Sequence, residues 1–210
     1  DSDADYKAFN ISVSERGTSF SVVTRDGETA DFSTRLIGRH NVLNSLAAFA
    51  VCSEQGVATE GIKDALEKFT GAGRRFEFLG EYDFTLADDY AHHPGELQAT
   101  LDAVQQLGYK RNIVVFQPHT YTRTAALFDD FVAQLKRPDI TYLAEIYAAR
   151  EINTIGISSK DICREINGAK YFKTFEEIVA DLKKFAQPGD IILTIGAGDV
   201  YRIGEALVEK

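Results

Sequence analysis

Four consecutive apolar residues, Ile113-Val114-Val115-Phe116, leave a strand at that position no face for water. Side chains alternate between the two faces of a strand, so an unbroken apolar run needs cover on both. The flanking sequence supplies that cover. Strand-like runs over 84–88, 112–117, 140–145, 170–172 and 191–195 alternate with helical patterns over 96–107, 124–135, 159–166, 175–185 and 199–209. Such alternation predicts a doubly wound, mostly parallel α/β sheet with helices on both faces.

The first third of the chain is patterned differently. Residues 9–14 and 19–24 alternate apolar with polar around Arg16-Gly17, and Asp26-Gly27 is a tight-turn signal before 29–36. This predicts a small antiparallel meander, which buries little by itself and reads as an appendage to a sheet. Apolar residues at nearly every position of 42–53 predict a buried helix. A second helix is expected over 59–69, with Thr59 as N-cap. Gly71-Ala72-Gly73-Arg74-Arg75-Phe76-Glu77 then breaks the pattern and divides the chain into domains 1–73 and 74–210. On an extended segment the two arginines point to opposite sides, so one at most faces a ligand, where a guanidinium at a hinge can clamp phosphate.

Open parallel sheets bind ligands beyond the carboxyl ends of their strands. After a strand-like run over 82–87 comes Asp88-Asp89-Tyr90-Ala91-His92-His93-Pro94. The bland reading has Asp89 or His92 capping the next helix and Pro94 starting it. Five polar or ionisable groups in seven residues favour a site instead, since Asp and His together can position charge and move protons. Gln117-Pro118-His119-Thr120-Tyr121-Thr122-Arg123, the segment 146–151 and Gly196-Ala197-Gly198-Asp199 bring further polar groups to the same rim. The glycine run is only part of a phosphate fingerprint, and a tight strand-to-helix turn explains it equally well. In the first domain, Asn41 and Asn44 lie one helical turn apart, and a side-chain amide matches the edge of adenine. An N-cap role for Asn41, with Asn44 as filler, is the alternative.

Charge and composition exclude several classes. With 23 basic against 32 acidic residues the net charge is −9, which argues against nucleic acid and leaves anionic substrates to local groups. No apolar stretch has the length of a membrane span, and the acidic opening Asp1-Ser2-Asp3-Ala4-Asp5 is the opposite of a signal peptide. Cys52 and Cys163 lack partner spacing and read as small core residues in a reducing cytoplasm.

Residues 38–44, 73–77, 88–94 and 116–119 occur in the order found in the Mur ligases, which the chain resembles over almost its whole length. The resemblance implies a C-terminal Rossmann-like domain preceded by the second half of an ATP-binding central domain. It further implies ATP- and Mg²⁺-dependent joining of L-alanine to UDP-N-acetylmuramate through an acyl phosphate, a cytoplasmic step of peptidoglycan synthesis. By this similarity Asn41 and Asn44 contact the nucleotide with His40 nearby, and Arg75 approaches the phosphates. Asp89 positions nucleotide or metal groups; Tyr90, His92 and His93 line the site where amino acid and acyl phosphate meet. Arg123 holds the carboxylate or acyl-phosphate charge, and Asp89, His92 and Arg123 form the catalytic set, with no protein metal ligand assigned. Two departures stand out. Thr120 occupies a position where the family often has a second arginine, and no Gly-Lys-Thr/Ser phosphate loop occurs in the sequence. The chain is therefore expected to be a C-terminal portion that does not turn over alone. A whole peptide in place of L-alanine stays open as acceptor, although residues 74–77 and 88–90 favour alanine. A non-catalytic nucleotide- or amino-acid-binding module is the other alternative; a dehydrogenase reading rests on residues 196–198 alone. Oligomeric state is not legible.

Overall fold

The computed structural model describes residues 4–208, which fall into two compact units that part between Ala72 and Gly73. In the first unit, β1 (Lys7–Ser14), β2 (Gly17–Val23) and β3 (Thr29–Thr34) form an antiparallel sheet in that order. Gly17 makes the first turn possible: at φ +127° a Cβ there would sit 2.1 Å from the Thr34 carbonyl oxygen. Helices α1 (Arg39–Glu54) and α2 (Thr59–Lys68) cover one face of the sheet. Phe20, Val22, Phe32, Val42, Phe49 and Ile62 close the core, with the Phe32 and Phe49 rings 4.9 Å apart. The meander is thus part of a packed unit with its own core. Helix α1 is not buried all round as its composition suggested. It buries Val42, Ser45 and Phe49, three and four residues apart, while Leu43 and Val51 are exposed. Ala58, not Thr59, is the N-cap of α2.

The second unit holds a six-stranded sheet in the order β4-β5-β9-β6-β7-β8. Its strands are β4 (Glu77–Glu81), β5 (Thr85–Asp89), β6 (Arg111–Phe116), β7 (Ile140–Leu143), β8 (Lys170–Tyr171) and β9 (Asp190–Ile195). Five run parallel; β4 turns back antiparallel on β5, with a register shift between Phe78 and Gly80. This hairpin accounts for β5 beginning at Thr85 rather than 82, because the Tyr82 amide donates to the Phe84 carbonyl in the turn.

Helices α3 (Pro94–Gln105), α4 (Tyr121–Ala126), α5 (Phe128–Leu135), α6 (Ser159–Arg164), α7 (Phe175–Phe185) and α8 (Tyr201–Val208) complete the unit. Ile113, Val115 and Ile192 pack with Ile178, Leu182, Ile203 and Leu207 of α7 and α8, while Phe116 meets Phe131 of α5 on the opposite face. The two-sided cover demanded by residues 113–116 is therefore present, and all four are fully buried. The helix expected over 124–135 is two helices broken at Leu127, where the backbone turns to φ −117°, ψ 25°. Asp129 and Asp130 then occupy the first turn of α5, where acidic groups favour a fresh helix N-terminus. Register places Asp89, Ile195, Phe116, Leu143 and Tyr171 along one edge, the carboxyl ends of all five parallel strands. Among the described residues no helix is long and apolar enough to cross a membrane.

Candidate functional site

That edge of the second unit gathers the loops singled out above. The Arg74-Arg75 segment is no extended strand: Arg74 has φ +60° and Phe76 φ +46°, so side-chain alternation does not apply. Arg74 turns inward. Its Nε donates to Asp88 Oδ2 at 2.7 Å, and its Nη atoms donate to the carbonyls of Gly198 and Gly196 at 3.0 and 2.6 Å. Arg75 stays half in water, its guanidinium over the Tyr90 ring at 5.4 Å and 4.0 Å from Glu96. One arginine is thus a structural pin and the other a half-exposed cation loosely paired with Glu96, although both lie over Tyr90.

Asp89 is buried, with both oxygens engaged. Oδ1 accepts from the Ala91 amide at 2.7 Å; Oδ2 accepts from the Phe76 amide and the Thr100 hydroxyl. Burial raises its pKa above the ordinary carboxylate value against the pull of these donors and of Arg75. Helix α3 is capped by neither Asp89 nor His92. His93 is the N-cap, its Nδ1 accepting from the Gly95 amide, Pro94 is the first helical residue, and Glu96 closes a capping box onto the His93 amide. Glu96 also accepts from the His92 amide at 3.0 Å. Burial pushes the Glu96 carboxyl upward, but the His92 and His93 amides, the His92 ring and Arg75 outweigh it and hold it below the ordinary value.

His92 is oriented through one ring nitrogen. Its Nδ1 lies 3.1 Å from the Tyr90 carbonyl and 3.3 Å from a Glu96 carboxylate oxygen, both acceptors. A neutral ring must then carry its hydrogen on Nδ1, which leaves the Nε2 lone pair free. The ring centroid of His119 is 5.9 Å away. His119 has the complementary tautomer: Arg123 Nη1, a donor only, sits 3.3 Å from its Nδ1, so Nε2 bears the hydrogen. Burial, then the charges of Arg123 and His92, depress the His119 pKa and keep it neutral at pH 7. His119 stacks on Tyr147 at 5.5 Å, and a parallel bridge joins the two backbones. Thr120 holds a φ of +67°, rare for a β-branched residue, as N-cap of α4; its amide donates to the Tyr147 carbonyl.

The second unit therefore brings together Arg75, Tyr90, His92 and Arg123, with His93 as the cap behind them. Sequence patterns did not single out His119 or Tyr147 as site residues, although His119 stood in a quoted motif. Their pairing depends on a bridge outside the regular strands. The loop at 196–199 is a packing turn: Gln117 spans it, bonding Asp199 and the Val200 amide, and a Cβ on Gly198 would meet Gln117 Oε1 at 2.3 Å. Arg74 already occupies its carbonyls, so the tight-turn explanation fits better than a phosphate loop.

His40, Asn41 and Asn44 form a separate group on the first unit, at the start of α1. Asn41 is not the N-cap; Gly38 is. Asn41 Nδ2 donates to the Ile37 carbonyl at 2.9 Å and its Oδ1 accepts from Asn44 Nδ2 at 3.2 Å, which leaves Asn44 Oδ1 exposed as an acceptor. Burial lowers the pKa of His40, so its ring is neutral at pH 7. Neither cysteine is paired, and burial raises the Cys163 thiol. Among the described residues no three His, Cys, Asp or Glu side chains converge as a metal site.

The parallel sheet with this rim follows a smaller α/β unit along the chain, and both units match known families. Residues 74–198 match the Mur ligase, glutamate ligase domain, and residues 1–52 the Mur ligase middle domain. The chain belongs to the Mur ligase family. UDP-N-acetylmuramate–L-alanine ligase of Agathobacter rectalis is 44% identical over 100% of this chain and 47% of its own length. The ligase of the same name from Caldanaerobacter subterraneus is 42% identical, over 99% of the chain and 46% of the relative. The solved UDP-N-acetylmuramate–alanine ligase of Thermotoga maritima superposes with a TM-score of 0.81 at 24% identity, covering 97% of this chain and 45% of that one. The chain thus spans about half the length of the relatives it matches.

Proposed function

We propose that this chain carries the amino-acid-receiving half of an ATP-dependent ligase that joins L-alanine to UDP-N-acetylmuramate in cytoplasmic peptidoglycan precursor synthesis. On this reading residues 1–73 are the end of the ATP-binding domain and 74–210 the C-terminal Rossmann-like domain. The observation that carries it is the free Nε2 of His92, fixed beside His119 and Arg123. ATP supplies the phosphoryl group that turns the lactyl carboxylate into an acyl phosphate. L-alanine arrives as an ammonium ion and must lose a proton before its nitrogen attacks the acyl carbon and releases phosphate. His92 Nε2 accepts that proton. Arg123 and Arg75 hold the anionic groups, the carboxylate of alanine and the acyl phosphate, and His119 Nε2–H adds a donor. Tyr90 forms the wall between them. Asp89 and His93 act by positioning, the first bracing Phe76 and Ala91, the second fixing α3. Asn44, oriented by Asn41 beside His40, offers its oxygen to the adenine amino group. Among the described residues no cluster of His, Cys, Asp or Glu is set to hold a metal, and Mg²⁺ enters this reading with the ATP phosphates.

A fusion of this chain to the upstream half of the Caldanaerobacter relative tests the proposal. ADP release is expected to require both UDP-N-acetylmuramate and L-alanine, and His92→Ala to lower kcat by about 10²–10⁴-fold, the span of a general base. A folded fusion that releases no ADP, or that takes a tripeptide in preference to alanine, refutes it.

A further inference from the structure

Away from the His92 rim, α6, β8 and α7 enclose an open cleft of about 630 Å³ lined by Lys160, Tyr171, Lys173, Glu177, Asp181 and Lys184. Its charges are unequal in availability. Asp181 Oδ2 accepts from Lys170 Nζ at 2.7 Å and from the Tyr142 hydroxyl at 2.6 Å. The Lys170 contact first, then Tyr142, holds its carboxyl below the ordinary value. Glu177 Oε2 accepts from the Lys173 and Thr174 amides as the capping-box residue of α7. Asp181 is thus neutralised by Lys170, while Glu177 keeps its charge and turns one oxygen to backbone amides. The three lining lysines, Lys160, Lys173 and Lys184, are in no ion pair among the described residues: Lys184 feels the charge of Asp181, which Lys170 already holds, and Lys160 rests over the Tyr171 ring at 5.1 Å. Tyr171 is held by its own hydroxyl, which donates to Glu145 Oε2 at 2.6 Å. In a chain of net charge −9, three ammonium groups outside any ion pair, against the single unpaired carboxylate of Glu177, leave this concavity with a local positive excess that the rest of the surface opposes.

We propose that this cleft binds a small polyphosphate, with its charges spread over Lys160, Lys173 and Lys184. Lysine suits such a ligand because a compact ammonium on a flexible stem follows a mobile phosphate chain, where bidentate arginine would suit a fixed planar anion. A single monovalent anion gains too little from exposed lysines to bind; several linked charges meet several lysines at once. The site is independent of the ligase reading, since none of its residues has a part in that reaction.

The test is a titration of the whole chain with sodium tripolyphosphate, followed by backbone amide shifts in two-dimensional NMR. Saturable shifts are expected at residues 160, 171–173 and 180–184. Lys160→Ala/Lys184→Ala should weaken the affinity by about tenfold, while the remaining spectrum stays that of the folded chain. Arg123→Ala should leave the shifts in place, which separates this cleft from the rim. Equal affinity for ATP and tripolyphosphate at these amides assigns the site to the bare phosphate chain; tighter ATP binding assigns it to a nucleotide. Absence of saturation at millimolar tripolyphosphate, or shifts unchanged in the double lysine variant, overturns the proposal.

Discussion

Arg74 and Arg75 are chemically identical neighbours, and their surroundings give them opposite duties. Arg74 neutralises Asp88, 1% exposed, and satisfies two carbonyls of the 196–198 turn. Removing it strands a buried carboxylate whose other partner among the described residues is the Thr194 hydroxyl at 2.5 Å. Arg74→Ala should therefore cost about 3 kcal/mol of stability, measured by urea unfolding, and Arg74→Lys should restore little of it because an ammonium cannot span three acceptors in a plane. Arg75→Ala should change stability by less than about 0.5 kcal/mol, as its partners are exposed. Equal losses from the two would show that Arg74 is no pin. The sequence made the pair conspicuous but could not assign the roles. Alternation presumes an extended backbone, and the φ of +60° at Arg74 exists only because Asp88, Gly196 and Gly198 are there to receive the side chain. Asp89 was legible as a polar residue at a strand end. Its enclosure by Phe76 and Thr100 was not, since those contacts join residues 13 and 11 apart.

At the scale of elements, periodicity located the parallel strands and most helices, because burial on both faces writes itself into apolar runs. Strand-like residues resume at Phe76, but their pattern did not give the bounds of β4 or its antiparallel pairing with β5, since its residues are mostly exposed. Periodicity also missed the break at Leu127, which interrupts no apolar pattern. The segment between β6 and α4 delivers His119 to the site, and its pH response follows from its packing. Burial, Arg123 and His92 lower the His119 pKa from the ordinary 6.5, with Glu151 opposing more weakly. As pH falls below 6.5 the unfolded chain takes up a proton at this position before the folded chain does, so stability drops across the interval down to the folded pKa and then levels. His40 has the same sign. Urea midpoints measured through that interval should fall with pH, and His119→Gln, which keeps a polar group without a titrating one, should flatten part of the slope. An unchanged slope would mean His119 is solvated like a free imidazole.

For the molecule as a whole, the two units differ in what organises them. The first is a meander and two helices closed by an aromatic trio, Phe20, Phe32 and Phe49; the second is a sheet sandwiched between helices. No residue is shared between the two core clusters, so each buries its own apolar surface and has its own source of cooperativity. Phe49 is 3% exposed, stacked edge-on against Phe32 at 4.9 Å and Tyr6 at 5.8 Å. Phe49→Ala leaves a cavity that costs about 3–5 kcal/mol in a packed core. Native-state hydrogen exchange should then show faster exchange across β1, β2, β3 and α1, with the amides of β6 and β9 protected as before. Loss of protection in β6 and β9 by the same amount would mean that the chain unfolds as one unit, and that the boundary near residue 72 marks a change of pattern without a change of cooperativity. The sequence signalled that boundary through two glycines and two arginines, local features a turn leaves behind. Whether the units are energetically separate depends on which side chains each core recruits, and those recruits are drawn from far along the chain: Phe20 meets Phe32, Phe32 meets Phe49, and Ile113 packs with residues beyond 178.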